Sequence, residues 1–244
     1  MYPLLPKRAW AIGLTLVIFA TDLLFSALSY FHLEVNSWRI AALASTIILA
    51  SFTFAFGISW YWAPWRILWR WFPALNSWLF PDINGVWVGT TQSNWTRLSE
   101  IKAASETEKT LSVRDLEKIP LKETDIAMEI RASLFSVRIT AYLPSTSGTS
   151  HSLTARPVKL SESDIRLSYI YKQTIPVAQV TDESCHSGAA EIVFDSRLIQ
   201  EAEGVYWTRR NWQLGLNTAG KIVIKRDTDR FDSKRSLNSY LAGD

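Results

Sequence analysis

The sequence is poor in the residues that most small-site chemistry needs. Cysteine occurs once in 244 residues, at Cys185, so an intrachain disulfide and a cysteine zinc site are both excluded. The three histidines, His32, His151 and His186, stand far apart in sequence and share no metal-ligand spacing. Glycine-rich phosphate loops and nucleophile elbows are absent. The carboxylates of residues 97–129 are scattered among Lys and Arg, as on a solvated surface. No catalytic residue, metal ligand or cofactor is assigned, and the chain reads as a non-enzyme, with a hidden hydrolase as the alternative.

A charge excess is also missing where it would matter. The chain has 26 basic and 23 acidic side chains; residues 1–81 hold five basic (Lys7, Arg8, Arg39, Arg66, Arg70) and two acidic (Asp22, Glu34), which leaves 21 of each in residues 82–244. The later part is formally neutral, so no broad field draws it to a DNA or RNA polymer. An anionic ligand needs a local cluster of Arg or Lys.

Long apolar runs, by contrast, are present. Residues 10–30 and 40–62 are each long enough to cross a hydrocarbon core of about 30 Å. The expectation is a transmembrane hairpin over residues 1–62, followed by a juxtamembrane linker over 63–81. Lys7 and Arg8 before the first run, and Arg66 and Arg70 after the second, place both ends in the cytoplasm by the positive-inside rule. A cleaved signal peptide is the alternative for the first run. Trp60, Trp62, Trp65, Trp69 and Trp71 crowd the exit of the second run, where an aromatic belt belongs. Asp22, within the first span, is read as an interhelix or intersubunit contact, or as a protonated carboxyl bonded to Ser26 or the second helix. Residues 63–81 read as a plain interfacial linker, with a short amphipathic helix opened by Pro64, Arg66 and Arg70 on one face, as the alternative.

From Asp82 the texture changes to short alternating runs. Eight strands are expected over 84–92, 125–132, 133–143, 150–160, 165–172, 188–195, 204–211 and 221–227, most of them separated by turn residues. Residues 97–123 read as a loop with a helical piece near 111–119, and 231–244 as a polar tail. Without βαβ spacing, eight antiparallel strands close into an up-and-down barrel able to hold one small ligand, here over residues 82–230. Gly85-Val86-Trp87 resembles the Gly-x-Trp of lipocalins, in which the Trp closes one barrel end beneath a basic residue. Lys225 or Arg226 is the expected partner.

Polar and aromatic residues recur at strand positions. Tyr169 and Tyr171 share a face, as do Tyr206, Thr208 and Arg210; Arg138 lies on the polar face of its strand, and Ser150 and Ser152 add hydroxyls. Pointed inward, this set suits a planar anionic ligand, with rings for stacking and Arg for phosphate. Pointed the other way, the rings are barrel core and the arginines face solvent. Alternation alone does not say which face is inside.

The hairpin, the Phe80-Pro81-Asp82 exit and the strand 84–89 together resemble the two-transmembrane β-barrel effectors of CBASS anti-phage systems. So do residues 167–171, 186–190 and, most specifically, 204–210. Residues 97–123 and 211–219 depart from that pattern. The resemblance implies a cyclic dinucleotide ligand made by a cyclic oligonucleotide synthase, with a functional link but no required contact between the two proteins. It implies Arg138, Ser150, Ser152, Tyr169, Tyr171, Tyr206, Thr208 and Arg210 as the ligand site. It further implies homo-oligomers in the bacterial inner membrane, disruption of the lipid bilayer and death of the infected cell, with Asp22 at the oligomer contact. The rival function is a membrane-tethered lipocalin-like carrier of a small apolar ligand, without killing activity.

Overall fold

A computed structural model describes residues 15, 17–23, 26, 27, 30, 37–161, 164–176, 183–195, 199–232 and 234–241. Eight strands form a closed antiparallel barrel in chain order: β1 (Gly85–Ser93), β2 (Lys122–Ala132), β3 (Val137–Leu143), β4 (Gly148–Lys159), β5 (Asp164–Thr174), β6 (Cys185–Asp195), β7 (Glu201–Thr208) and β8 (Ala219–Thr228). β8 pairs back onto β1, so the sheet has no free first or last strand. Strict alternation drives the closure. In β5 the buried residues are Ile165, Leu167, Tyr169, Tyr171 and Gln173, every second position. β6 repeats this with His186, Gly188, Ala190, Ile192 and Phe194.

The barrel and its strand count match the expectation from sequence. Several boundaries differ: β3 begins at Val137 and not at 133, and β6 at Cys185 and not at 188. β2 begins at Lys122 because Ser93 pairs with it across the ladder. β7 stops at Thr208, where the chain turns toward Asn211 in the left-handed region. Between β1 and β2 the structure holds two helices where one was expected, Trp95–Glu106 and Val113–Lys118. Ser112 starts the second of them with a capping box to Asp115.

The expected membrane hairpin is overturned. Ten residues of the first apolar run lie outside the described residues; its longest described piece, 17–23, is helical. The second run forms α1 (Ser37–Gly57), which stops at Gly57, well short of Trp62. Ser45, Thr46, Ser51 and Thr53 interrupt its apolar surface. Among the described residues no helix is long and apolar enough to cross a membrane. Asp22 is exposed. The hydroxyls of Thr21 and Ser45, 3.4 Å apart, join the two helical segments.

After α1 come α2 (Pro64–Trp71) and α3 (Ala74–Trp78), split at Pro73, which cannot continue a helix. They pack on one end of the barrel and do not form a simple linker. Of the five clustered tryptophans, Trp65 and Trp69 are buried with Ala63 and Leu134. Their indole N–H groups donate to the carbonyls of Ile58 and Phe80, both at 2.7 Å. They are core residues; Trp60, Trp62 and Trp71 stay exposed.

Candidate functional site: a cationic cavity at one barrel end

The barrel interior is layered. At the end where β1 begins and β8 ends, Trp87 packs edge-on to Phe194, with ring centroids 5.2 Å apart. The Arg226 guanidinium stands 4.8 Å from the Trp87 ring centroid, so Arg226 makes the expected cation–π contact. Lys225 points outward to Glu201. Arg226 donates to the carbonyl of Asp82, and the Asp82 carboxylate accepts from Arg66 Nε at 2.7 Å. Arg66 is fully buried and also donates to the Asp229 carbonyl. Burial pulls the Arg226 pKa down, against the opposing pull of Asp82. This end is plugged, and its charges are answered by carboxylate and carbonyl.

The middle layer carries three tyrosines. Tyr169 and Tyr171 are buried, with ring centroids 5.9 Å apart. Tyr206 reaches the same space from β7. Burial raises all three phenol pKa values; for Tyr206 a hydrogen bond with Ser93 and the charge of Arg210 oppose the rise. The phenols therefore stay protonated near neutral pH. Gly188 lets the Tyr171 ring lie flat on β6. A Cβ there would stand 2.4 Å from the ring carbon that bears the hydroxyl, and equally close to the hydroxyl oxygen.

Above the tyrosines lies a cavity of about 360 Å³, at the end where β1, β3, β5 and β7 finish. That is within the size range of small-ligand sites. Its cations are Lys122 and Arg210, and no Asp or Glu lines it among the described residues. The Arg210 guanidinium sits over the Trp95 ring at 4.5 Å from its centroid. On the opposite wall stand Ser150, Gln173 and His186, all buried, with Thr146 from the β3–β4 turn. Nothing here lines up as nucleophile, base and orienting group.

Six of the eight sequence-predicted site residues line this cavity: Ser150, Tyr169, Tyr171, Tyr206, Thr208 and Arg210. Two do not. Arg138 is exposed on the outer face of β3, where Ile139 and Ala141 are the inward residues. The polar face of that strand is the outside of the barrel. Ser152 is spent on structure: its Oγ accepts the Ile139 N–H at 2.9 Å, next to the β4 irregularity at Leu153. Arg210 arrives by a different route than alternation, from the turn after β7. Thr208 lines the wall, but its hydroxyl lies 3.0 Å from that of Thr218 and accepts the Thr218 N–H.

Sequence reasoning missed Lys122, Trp95, Thr146, Gln173 and His186. Gln173 had a signal, since it shares the parity of Tyr169 and Tyr171. Lys122 and Trp95 had none, because Lys122 lies within residues 97–123, read as a loop, and Trp95 just before them.

Residues 112–226 match the family model of the Cap15 cyclic dinucleotide receptor domain. The chain is also 26% identical over 164 residues to the CD-NTase-associated protein 15 of Escherichia albertii, covering 66% of this chain and 72% of that protein. The family match runs from the cap of the second inserted helix through β2–β8, and so includes every cavity residue except those of β1 and Trp95.

Proposed function

We propose that this chain is a receptor for a cyclic dinucleotide second messenger and serves as an effector of CBASS anti-phage defence. The observation that carries the reading is the cavity. It has two cations and no carboxylate among the described residues, three protonated phenols, and closure at the far end. Phosphate esters need cations and N–H or O–H donors, and bases need flat rings; the cavity supplies both. An apolar ligand does not account for a lining that carries Lys122, hydroxyls and a carboxamide, which disfavours the carrier reading. The similarity to a cyclic dinucleotide receptor domain supports the same conclusion. Residues 82–230 are the ligand-binding unit in this reading.

The output we propose is assembly of copies at the bacterial inner membrane and its disruption, with the barrel on the cytoplasmic side. Support comes from the N-terminal part, where Leu43, Ile47, Phe54, Trp60, Trp62 and Trp71 are all exposed. Apolar and aromatic side chains beside Arg70 suit a lipid–water interface.

Titration of the full-length chain with a panel of cyclic dinucleotides tests the receptor. A ligand at about 100 times its Kd raises stability by about 2.7 kcal/mol, read as a melting shift. Arg210→Ala removes a charge-assisted contact and weakens binding about 10- to 100-fold by calorimetry. Unchanged affinity in that variant overturns the site, and a panel without any melting shift overturns the receptor.

A further inference from the structure

We infer that the cavity wall built by β4, β5 and β6 reads a base of the ligand, with Gln173 as the specificity-determining residue and adenine as the base it selects. This rests on the cyclic dinucleotide reading above. Ser150 pairs with Gln173 across one ladder, and Gln173 with His186 across the next. All three are buried and face the cavity. They form one continuous row of neutral hydrogen-bonding groups: a hydroxyl, a carboxamide and an imidazole.

Two further observations converge on the carboxamide. The Thr146 Oγ1 is buried, lines the cavity and has no hydrogen-bond partner among the described residues. A Cβ added at Gly148 would stand 2.8 Å from both Gln173 Nε2 and Thr146 Oγ1. A bare Cα thus makes room for two polar atoms that a larger residue would displace.

The row faces the cationic side. Around the closed barrel β5 lies four strands from β1 in either direction. Lys122, paired with Ser93, and Arg210, over Trp95, both flank β1. A ligand whose phosphates meet those cations turns a base toward Gln173. A carboxamide offers one donor beside one acceptor and matches adenine bidentately. The Tyr171 ring, two residues before Gln173 on the same face, supplies a surface for the base to stack on.

The test is calorimetry on the full-length chain with cyclic di-AMP, cyclic di-GMP and cyclic di-UMP. The wild type is expected to bind cyclic di-AMP at least about 10-fold tighter than cyclic di-UMP. Gln173→Met keeps the length of the side chain and removes both hydrogen bonds. It is expected to cost cyclic di-AMP about 10- to 100-fold and the other two less than about 3-fold. Thr146→Val, at a turn, is the second probe if Gln173→Met melts before binding is measured, and lowers cyclic di-AMP affinity about 3- to 10-fold. Equal losses across the panel, or an unchanged order of preference, overturn the base assignment. Wild-type binding that Arg210→Ala abolishes, with no change in Gln173→Met, overturns the base assignment alone. No binding by any of the three ligands overturns it together with the receptor reading.

Discussion

At each end of the barrel an arginine lies over a tryptophan. Arg226 stands 4.8 Å from the Trp87 ring centroid at the closed end, and Arg210 stands 4.5 Å from that of Trp95 at the cavity. The surroundings differ. The closed end supplies the Asp82 carboxylate, the Asp82 and Asp229 carbonyls and two packed helices, so its cations are consumed in holding α2 to the barrel. The cavity lining supplies hydroxyls, phenols and a carboxamide but, among the described residues, no carboxylate. The same pairing of cation and ring is a plug where a carboxylate is built in against it, and a candidate anion site where, among the described residues, the lining carries none. The make-up of the lining around the pair, more than the pair itself, separates the two ends of this barrel.

Breaking the plug has the largest expected effect. Asp82→Ala leaves Arg66 and Arg226 without their carboxylate in a buried junction, and is expected to cost about 3–5 kcal/mol in denaturant unfolding. Ligand affinity, measured below the melting point, is expected to hold, because the cavity is at the other end. Loss of binding in that variant would mean the two ends are not separable.

Gly188→Ala strikes the cavity side without touching a charge. The new methyl collides with the Tyr171 ring, so stability is expected to fall by about 1–3 kcal/mol and cyclic dinucleotide affinity to fall with it. A crystal structure showing Tyr171 unmoved would remove the basis for that expectation.

Alkaline pH offers a milder perturbation of the middle layer. Burial raises the pKa of Tyr169 and Tyr171 in the folded state above the unfolded value of about 10. The folded chain therefore holds more protons than the unfolded chain above that pH. The contribution is fully present below about pH 10 and is lost as pH climbs toward the folded values. Melting temperature is expected to fall above about pH 10, and less steeply in Tyr171→Phe. Equal slopes would show that other groups govern the alkaline limb.

The smallest effect belongs to Lys225, next to Arg226 in sequence. Its ammonium meets Glu201 at 2.8 Å on the outer face. Lys225→Ala is expected to leave melting and ligand binding unchanged within error. A clear loss would show that the outer face takes part in one of the two ends.

Particular residues show how far sequence reading reached. Trp87 was legible because Gly-x-Trp at the head of a first strand carries a packing role, and the structure chose Arg226 over Lys225 by parity. Tyr169, Tyr171 and Tyr206 were legible as a face, and alternation together with the resemblance made them site candidates. Arg138 misled because a polar face reads the same whether it looks into a wet cavity or out to solvent. The apolar runs misled for a related reason. Hydropathy registers residue type along the chain, whereas α1 ends at Gly57 and two of the following tryptophans turn into the barrel's own core.

The sequence by itself determined the eight alternating strands, the closure of the barrel and the neutrality of its later part. These depend on neighbours two residues apart and on composition, both of which are local. Only the tertiary structure decided which face is the interior, which arginines are locked to Asp82, and that Gln173, Thr146, Lys122 and Trp95 meet around one cavity. Those properties depend on ladder register and on turns that bring residues tens of positions apart into contact, and no local pattern encodes them.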